Sequence, residues 1–390
     1  MKNFFLNPAN RYLFLLCLYN IQGLFFLDGG TIVGQLLCFI IIGIGIKNLY
    51  SVLIGTYSKA VRGITVLLFF FSIYGIVRLL LGQVIVVDGE YELSPFQTFK
   101  TILLSILPIY SFYYYSIKGW CDESFIKKWI LPLLVVAVAN YSIFSSIAHL
   151  SHEGQDEVTN NASYFFIALL PSLVFLKKKL ILQYLYISVL LLFVILCMKR
   201  GAILTGIVLM IYFLRYSLKD ATGKAKIVVC FVIIAIVVFA SYLVEYMMST
   251  SNYFMFRVQQ TLEGNASNRE EMYPFFWKVF MESSGFIQLF GGGLGYSAIV
   301  SGNGAHNDWF EILLSQGLFG VILYIGYWIN LIKIRKKLFY NRMLFVAFTL
   351  IILSEFIKTF FSFSINALPF YEMPVWGYCI YKANCLTNKV

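Results

Sequence analysis

The sequence predicts an all-α integral membrane protein of about twelve transmembrane helices, with one large external loop before the tenth. Three observations carry that expectation. The 390 residues are 60% hydrophobic and only 13% charged, about half the charge of an ordinary soluble domain. Apolar runs of roughly 16–24 residues recur from end to end, and about 20 such residues span a bilayer as a helix. Lysine and arginine concentrate in alternate connections, which fixes sidedness. A helical bundle is expected rather than a barrel, because lipid offers backbone groups no partners and no period-two pattern is present.

In chain order the expected spans are 12–28, 31–46, 63–86, 98–117, 129–149, 163–176, 180–197, 201–217, 226–247, 308–332, 343–362 and 367–383. The first is long and has no small-residue cleavage site, so it reads as a retained helix and not a removed signal peptide. With the N-terminus inside, 22 of the 30 Lys and Arg residues fall in cytoplasmic segments. Seven fall outside (Lys100, Lys199, Arg200, Arg257, Arg269, Lys278 and Lys358), and Arg78 lies within a span. Slipping one span scrambles this split, so twelve spans with both termini cytoplasmic is the expected topology. The net charge of +11 is then a topology signal whose partner is the anionic headgroup layer of the bilayer. Nucleic acid is not needed to explain it. Cys17, Cys38, Cys197, Cys230 and Cys379 fall in spans, Cys121 and Cys385 in cytoplasmic segments, and no CxxC occurs. Neither a disulfide framework nor a metal knuckle is implied.

The chain is expected to form one integrated unit: a nine-span bundle over 1–247, an external loop over 248–306, and a three-span bundle over 307–390. A loop of that length in a compact protein is usually functional. Within it, SNREEMYPFFWKVFMESS (267–284) has helical spacing, with Ser267 or Asn268 as cap and Glu270 and Glu271 in the first turn. LFGGGLGYS (289–297) makes a tight turn, and Asn307 or Asp308 caps the tenth span. Arg200 and Gly201 open the eighth span from outside, which places a guanidinium beside free helix amides and makes an anion site. Arg78, Glu245, Glu355 and Lys358 lie in the outer part of their spans, where ionisable groups are costly and default to functional candidates. Of 19 acidic residues, 16 fall on the outer side, so any chemistry faces outward. His149, His152 and Glu153 have metal-like spacing, yet they read better as a solvated acidic loop.

FGGGLG (290–295) followed by HNDWFEILLSQGLFGVILY (306–324) resembles the signature segment of the O-antigen ligase and polymerase superfamily of bacterial envelopes. SNREEMYPFFWKVF (267–280) is similar to that family's Ser-Gly-Arg helix, and MKRGAIL (198–204) to its Ser-Arg-Gly helix start. Asn268 stands where the family has Gly, and Lys199 where it has a small polar residue.

The resemblance implies a glycosyltransferase using a polyprenyl-pyrophosphate-linked glycan donor and a glycan acceptor at the outer face of the bacterial cytoplasmic membrane. A flippase and a chain-length regulator are the further partners it implies. Arg200, the amides of the eighth helix and Arg269 then meet the pyrophosphate, and no metal or other cofactor is called for. Two nearby arginines would lower the pKa of His306 and leave it neutral, able to accept the acceptor's proton. Alternatively, the charge of the bound pyrophosphate keeps His306 protonated, and His306 donates to it. Asn307, Glu311, Lys199, Arg257 and Arg78 are expected around the substrate, with Glu311 orienting His306 or binding sugar. Polymerisation of repeat units into O-antigen, capsule or exopolysaccharide is favoured. Transfer of finished glycan to lipid A-core or another acceptor is the alternative. A transporter is the minor one, because transporters set charges near the midplane of repeated halves.

Overall fold

The computed structural model describes residues 6–25, 31–55, 58–82, 84–87, 91–151, 160–177, 179–220, 223–250, 255, 258–259, 269–302, 304–362 and 369–387. In chain order the helices are α1 (Pro8–Phe25), α2 (Ile32–Ile54), α3 (Arg62–Leu81), α4 (Pro95–Ile117), α5 (Glu123–Ser151), α6 (Ser163–Leu173), α7 (Leu180–Leu196), α8 (Arg200–Asp220) and α9 (Gly223–Thr250). They continue with α10 (Arg269–Glu282), α11 (Gly285–Phe290), α12 (Tyr296–Ser301), α13 (Asp308–Lys337), α14 (Arg342–Lys358) and α15 (Met373–Thr387). Each expected span overlaps one of α1–α9 or α13–α15. Among the described residues, five stretches are long and apolar enough to cross a membrane: Ile32–Ile54, Lys59–Leu81, Glu123–Phe144, Arg200–Lys219 and Asp308–Tyr340.

The boundaries differ in places for local reasons. The third expected span runs to 86, but α3 stops at Leu81, where Gly82 at φ 63° donates its N–H to Leu79 as a left-handed cap. Beyond it, β1 (Ile85–Val87) pairs antiparallel with β2 (Tyr91–Leu93). This small hairpin was not foreseen, although Asp88-Gly89 between the two strands is a strong hairpin signal. α15 begins at Met373 and not at 367.

α4 is central, with α2, α3 and α15 packed around it. Its start carries a capping box between Ser94 and Gln97. α15 approaches so closely that a Cβ on Gly377 would lie 2.4 Å from the Phe112 and Tyr113 backbone. Tyr110, Phe112, Tyr113 and Trp376 fill the core between these helices. By contrast, α9 exposes Phe231, Ile234, Val237, Val238, Phe239 and Tyr242, an apolar surface suited to lipid. All seven cysteines are free.

Candidate active site

The three segments that carry the candidate residues meet at one place, the end of α14. Asp308 at the start of α13 donates its N–H to the Thr359 carbonyl at 2.9 Å. The Trp309 indole donates to Thr359 Oγ1 at 3.0 Å. From α10, the Tyr273 hydroxyl donates to the Phe360 carbonyl at 3.2 Å. At the start of α8, a Cβ on Gly201 would lie 2.7 Å from the Phe361 Cβ and 3.1 Å from the Tyr164 hydroxyl. Glycine at 201 therefore lets the Arg200 helix start approach the same turn. Tyr273 is one helical turn beyond Arg269, whose backbone alone is described.

His306 and Met198 are the two non-glycine residues at positive φ among the described residues, at 47° and 53°. A left-handed conformation costs a side-chain-bearing residue roughly 1–2 kcal/mol, and such outliers gather at functional sites. Met198 stands two residues before Arg200, and His306 two before α13 begins. Each turns the chain just where a candidate residue enters a helix. Lys199 supplies the carbonyl that accepts from Ala202 and Ile203 at 3.0 Å each, opening α8. Arg200, Lys199 and His306 are all half-buried.

Several contacts hold the His306 turn. Asn307 is the N-cap of α13, its Oδ1 accepting from Trp309 at 2.9 Å and Phe310 at 3.3 Å. The expected alternative cap, Asp308, is instead buried and accepts from the Tyr324 hydroxyl at 2.8 Å. Glu311 accepts hydrogen bonds from Ser297 Oγ, from Ser315 Oγ at 3.1 Å, and from the Ala305 backbone. One carboxylate thereby ties α12, α13 and the residue preceding His306. Arg78, buried in α3, interacts electrostatically with Glu311 and donates to the Leu294 carbonyl at 3.2 Å. One turn earlier on α3, the Tyr74 hydroxyl donates to the Phe290 carbonyl. Arg78 and Glu311 are thus engaged with the glycine turn and the His306 turn.

The glycine turn clasps a break in α13. Gly317 lies at φ 68° and ψ −168° inside the helix, a region open essentially to glycine alone. Breaking the helix frees carbonyls, and Gly292 and Gly293 donate to those of Leu314 and Ser315 at 2.9 and 3.0 Å. A Cβ on Gly291 would lie 2.3 Å from the Gln316 backbone, and one on Gly317 would lie 2.5 Å from that of Leu289. The expected tight turn at 289–297 is therefore also a backbone-to-backbone contact. α10 closes the other side, with Phe276 and Phe280 packed on Leu314 and Ala305 and Tyr273 stacked on Phe310 at 5.1 Å. The helix expected over 267–284 is α10, while its expected caps Ser267 and Asn268 lie outside the described residues.

Beneath the meeting point lies a buried charged cluster that the sequence indicated only in part. Lys358 and Glu355 pair at 3.9 Å with 3% and 1% of their side chains exposed. Glu372 lies against both of them and accepts from the Trp376 indole at 2.9 Å. Lys358 Nζ also lies 5.3 Å from the centre of the Tyr164 ring. Glu372, just ahead of α15, was missed, although an acid within an expected span was the available signal. Tyr273, Ser297 and Thr359 were missed because nothing local marks them. Arg257 and His152 lie outside the described residues. Among the described residues no group of three or more His, Cys, Asp or Glu residues is disposed to hold a metal ion.

Fold and site together define a membrane protein of long apolar helices whose polar residues converge at the ends of α8, α13 and α14. Residues 185–325 match the O-antigen ligase family model, in agreement with the resemblance to the O-antigen ligase and polymerase superfamily, and the match supports a function of that broad type. It runs from α7 into α13 and takes in Lys199, Arg200, Arg257, Arg269, His306, Asn307 and Glu311, leaving Arg78, Glu355 and Lys358 outside. No curated protein matches the chain.

Proposed function

We propose that this protein polymerises polyprenyl-pyrophosphate-linked oligosaccharide repeat units at the outer leaflet of the bacterial cytoplasmic membrane, building O-antigen, capsular or exopolysaccharide. The observation that carries this reading is the meeting of α8, α10 and α13 at Thr359–Phe361. On this reading α1–α9 and α13–α15 all cross the bilayer, with both termini cytoplasmic. The bundles 1–247 and 307–390 then flank an external catalytic segment at 248–306.

The acceptor hydroxyl forms a bond to the donor's anomeric carbon while the bond from that carbon to the phosphate oxygen breaks. The electron pair leaves with the pyrophosphate, and His306 takes the hydroxyl proton. Charge developing on the leaving group is met by Arg200, the first amides of α8 and Arg269, since guanidinium matches phosphate oxygens with two parallel donors. These charges supply what a divalent ion would, so the step is metal-independent. Asn307, Glu311 and Arg78 hold the turns that present His306, a role their contacts favour over sugar binding. Lys199 and Arg257 serve a second pyrophosphate on the acceptor.

The description of the matching family, O-antigen ligase, favours a second reading, in which finished glycan passes to a different acceptor such as lipid A-core. Purified protein incubated with lipid-linked repeat units in EDTA separates the two. A ladder of chain lengths from repeat units alone is the expected result. Product that forms only once lipid A-core is added selects the ligase, and no product in either case sinks glycan transfer. Activity lost in EDTA and restored by a divalent cation overturns the metal-free step.

A further inference from the structure

At the far end of α8 from Arg200, a cavity of about 280 Å³ opens between α8 and the start of α14. Arg215, Lys219 and Arg342 line it, with Tyr212, Phe339 and Phe345 among its walls. More cations stand around it. The Arg342 guanidinium lies 5.2 Å from the centre of the Tyr216 ring and Lys177 Nζ lies 5.6 Å from it, while Arg335 sits 4.3 Å over Phe345. Arg335 is also held by its hydrogen bond to Thr349 Oγ1 at 2.7 Å. Arg215 and Lys219 are exposed and form no ion pair among the described residues. The acid next in sequence, Asp220, leaves the cluster strongly positive.

The depth and surroundings of this cavity identify its ligand. Arg200–Lys219 is a stretch of 20 residues, about 30 Å of helix, which equals the hydrocarbon thickness of a bilayer. With Arg200 at one boundary, Lys219 lies at the headgroup level of the opposite leaflet, and the cavity extends from there into the outer edge of that leaflet's hydrocarbon. Phe339 beside it is 68% exposed and the adjoining Tyr340 is 89% exposed, as befits aromatic residues at a membrane interface. Leu204, Ile207 and Ile211 are exposed on α8 and, at spacings of three and four, share a face with Arg215. The cationic cavity thus continues into an apolar track directed toward the bilayer centre. A site for a soluble anion has no use for that track.

We propose that this cavity binds the phosphate headgroup of an anionic phospholipid, with its acyl chains along Leu204, Ile207 and Ile211. The proposal rests on α8 crossing the bilayer and is independent of glycan transfer, because its readout is lipid binding.

The test uses the full-length protein in nanodiscs of phosphatidylcholine with increasing phosphatidylglycerol, with retained lipid counted by native mass spectrometry. Each cation near a charged surface contributes about a five-fold gain in affinity. The double variant Arg215→Gln/Lys219→Gln is therefore expected to hold phosphatidylglycerol roughly 25-fold more weakly, with an unchanged melting temperature in phosphatidylcholine alone. Arg215→Lys keeps the charge and is expected to retain the lipid. Equal retention by wild type and the double variant overturns the site. Full displacement of the lipid by glycerol phosphate or inorganic phosphate at matched concentration overturns the lipid assignment in favour of a soluble anion.

Discussion

The two ends of the α8–α14 pair are both charged, and they are charged in opposite ways. At one end Lys358 and Glu355 are almost entirely buried, with Glu372 and Tyr164 around them, and Arg200 begins the neighbouring helix. At the other end Arg215 and Lys219 stand in the open, and Arg342 leans on a tyrosine ring. A buried charge must be met by a partner at a fixed position, because the interior gives it no solvent. An exposed charge is solvated already and needs only an anionic neighbour nearby. The first end is therefore built to hold a defined geometry, the second to adhere to a surface. Chemistry on a pyrophosphate needs the former, and anchoring in a leaflet needs only the latter.

The largest difference between the ends should be in turnover. His306→Ala is expected to lower glycan formation by about 10²–10⁴-fold, the usual range for a general base, while binding of the lipid-linked donor stays near wild type. Arg200→Lys keeps the charge and loses the planar fork, so a strong fall in activity with normal expression is expected. Rate assays paired with donor-binding measurements distinguish these variants. Wild-type turnover in His306→Ala would reduce the strained turn at 306 to a helix entry with no chemical part.

Next comes stability at the buried end. Lys358→Met leaves Glu355 and Glu372 buried without their cation, and breaking a buried pair costs about 3–5 kcal/mol. Adding Glu355→Gln removes much of the unbalanced charge and should recover a large share of that loss. Thermal unfolding of the single and double variants in detergent checks this coupling. Additive losses would show that the 3.9 Å pair does not act as a unit.

What could be read from the chain follows the same division between local and distant causes. All twelve expected spans overlap helices because apolar runs and their breakers are local properties. The helix over 267–284 was legible from its apolar spacing, and a cap at Asn307 or Asp308 because cap chemistry acts within three or four residues. The meeting of Asp308, Tyr273 and Gly201 at Thr359–Phe361 was not, since it joins positions about 50 to 160 apart through packing that no local pattern encodes. Gly291 and Gly317 were each visible as glycines. Only the fold reveals that each keeps a Cβ out of the other segment's backbone. Glu311 was legible as a candidate, but its engagement with Ser297, Ser315 and Ala305 was not.

The smallest effect is expected at the exposed end, and it sharpens the contrast most. Arg342 is half-buried, and its guanidinium lies 5.2 Å from the Tyr216 ring centre. A half-exposed cation–π contact contributes on the order of 1 kcal/mol, and solvent reclaims most of what the charge itself gives up. Arg342→Gln in neutral lipid should therefore lower stability by no more than about 1 kcal/mol, which moves the melting temperature of a chain this size by only a few degrees. Turnover should not change, because Arg342 begins the helix at whose far end the candidate residues gather. Unfolding curves and rates measured side by side with Lys358→Met make the comparison direct, since both residues belong to α14. If Arg342→Gln costs as much as Lys358→Met, charge at the two ends of α14 is held by the same means, and the distinction between a geometric end and an adhesive end is wrong.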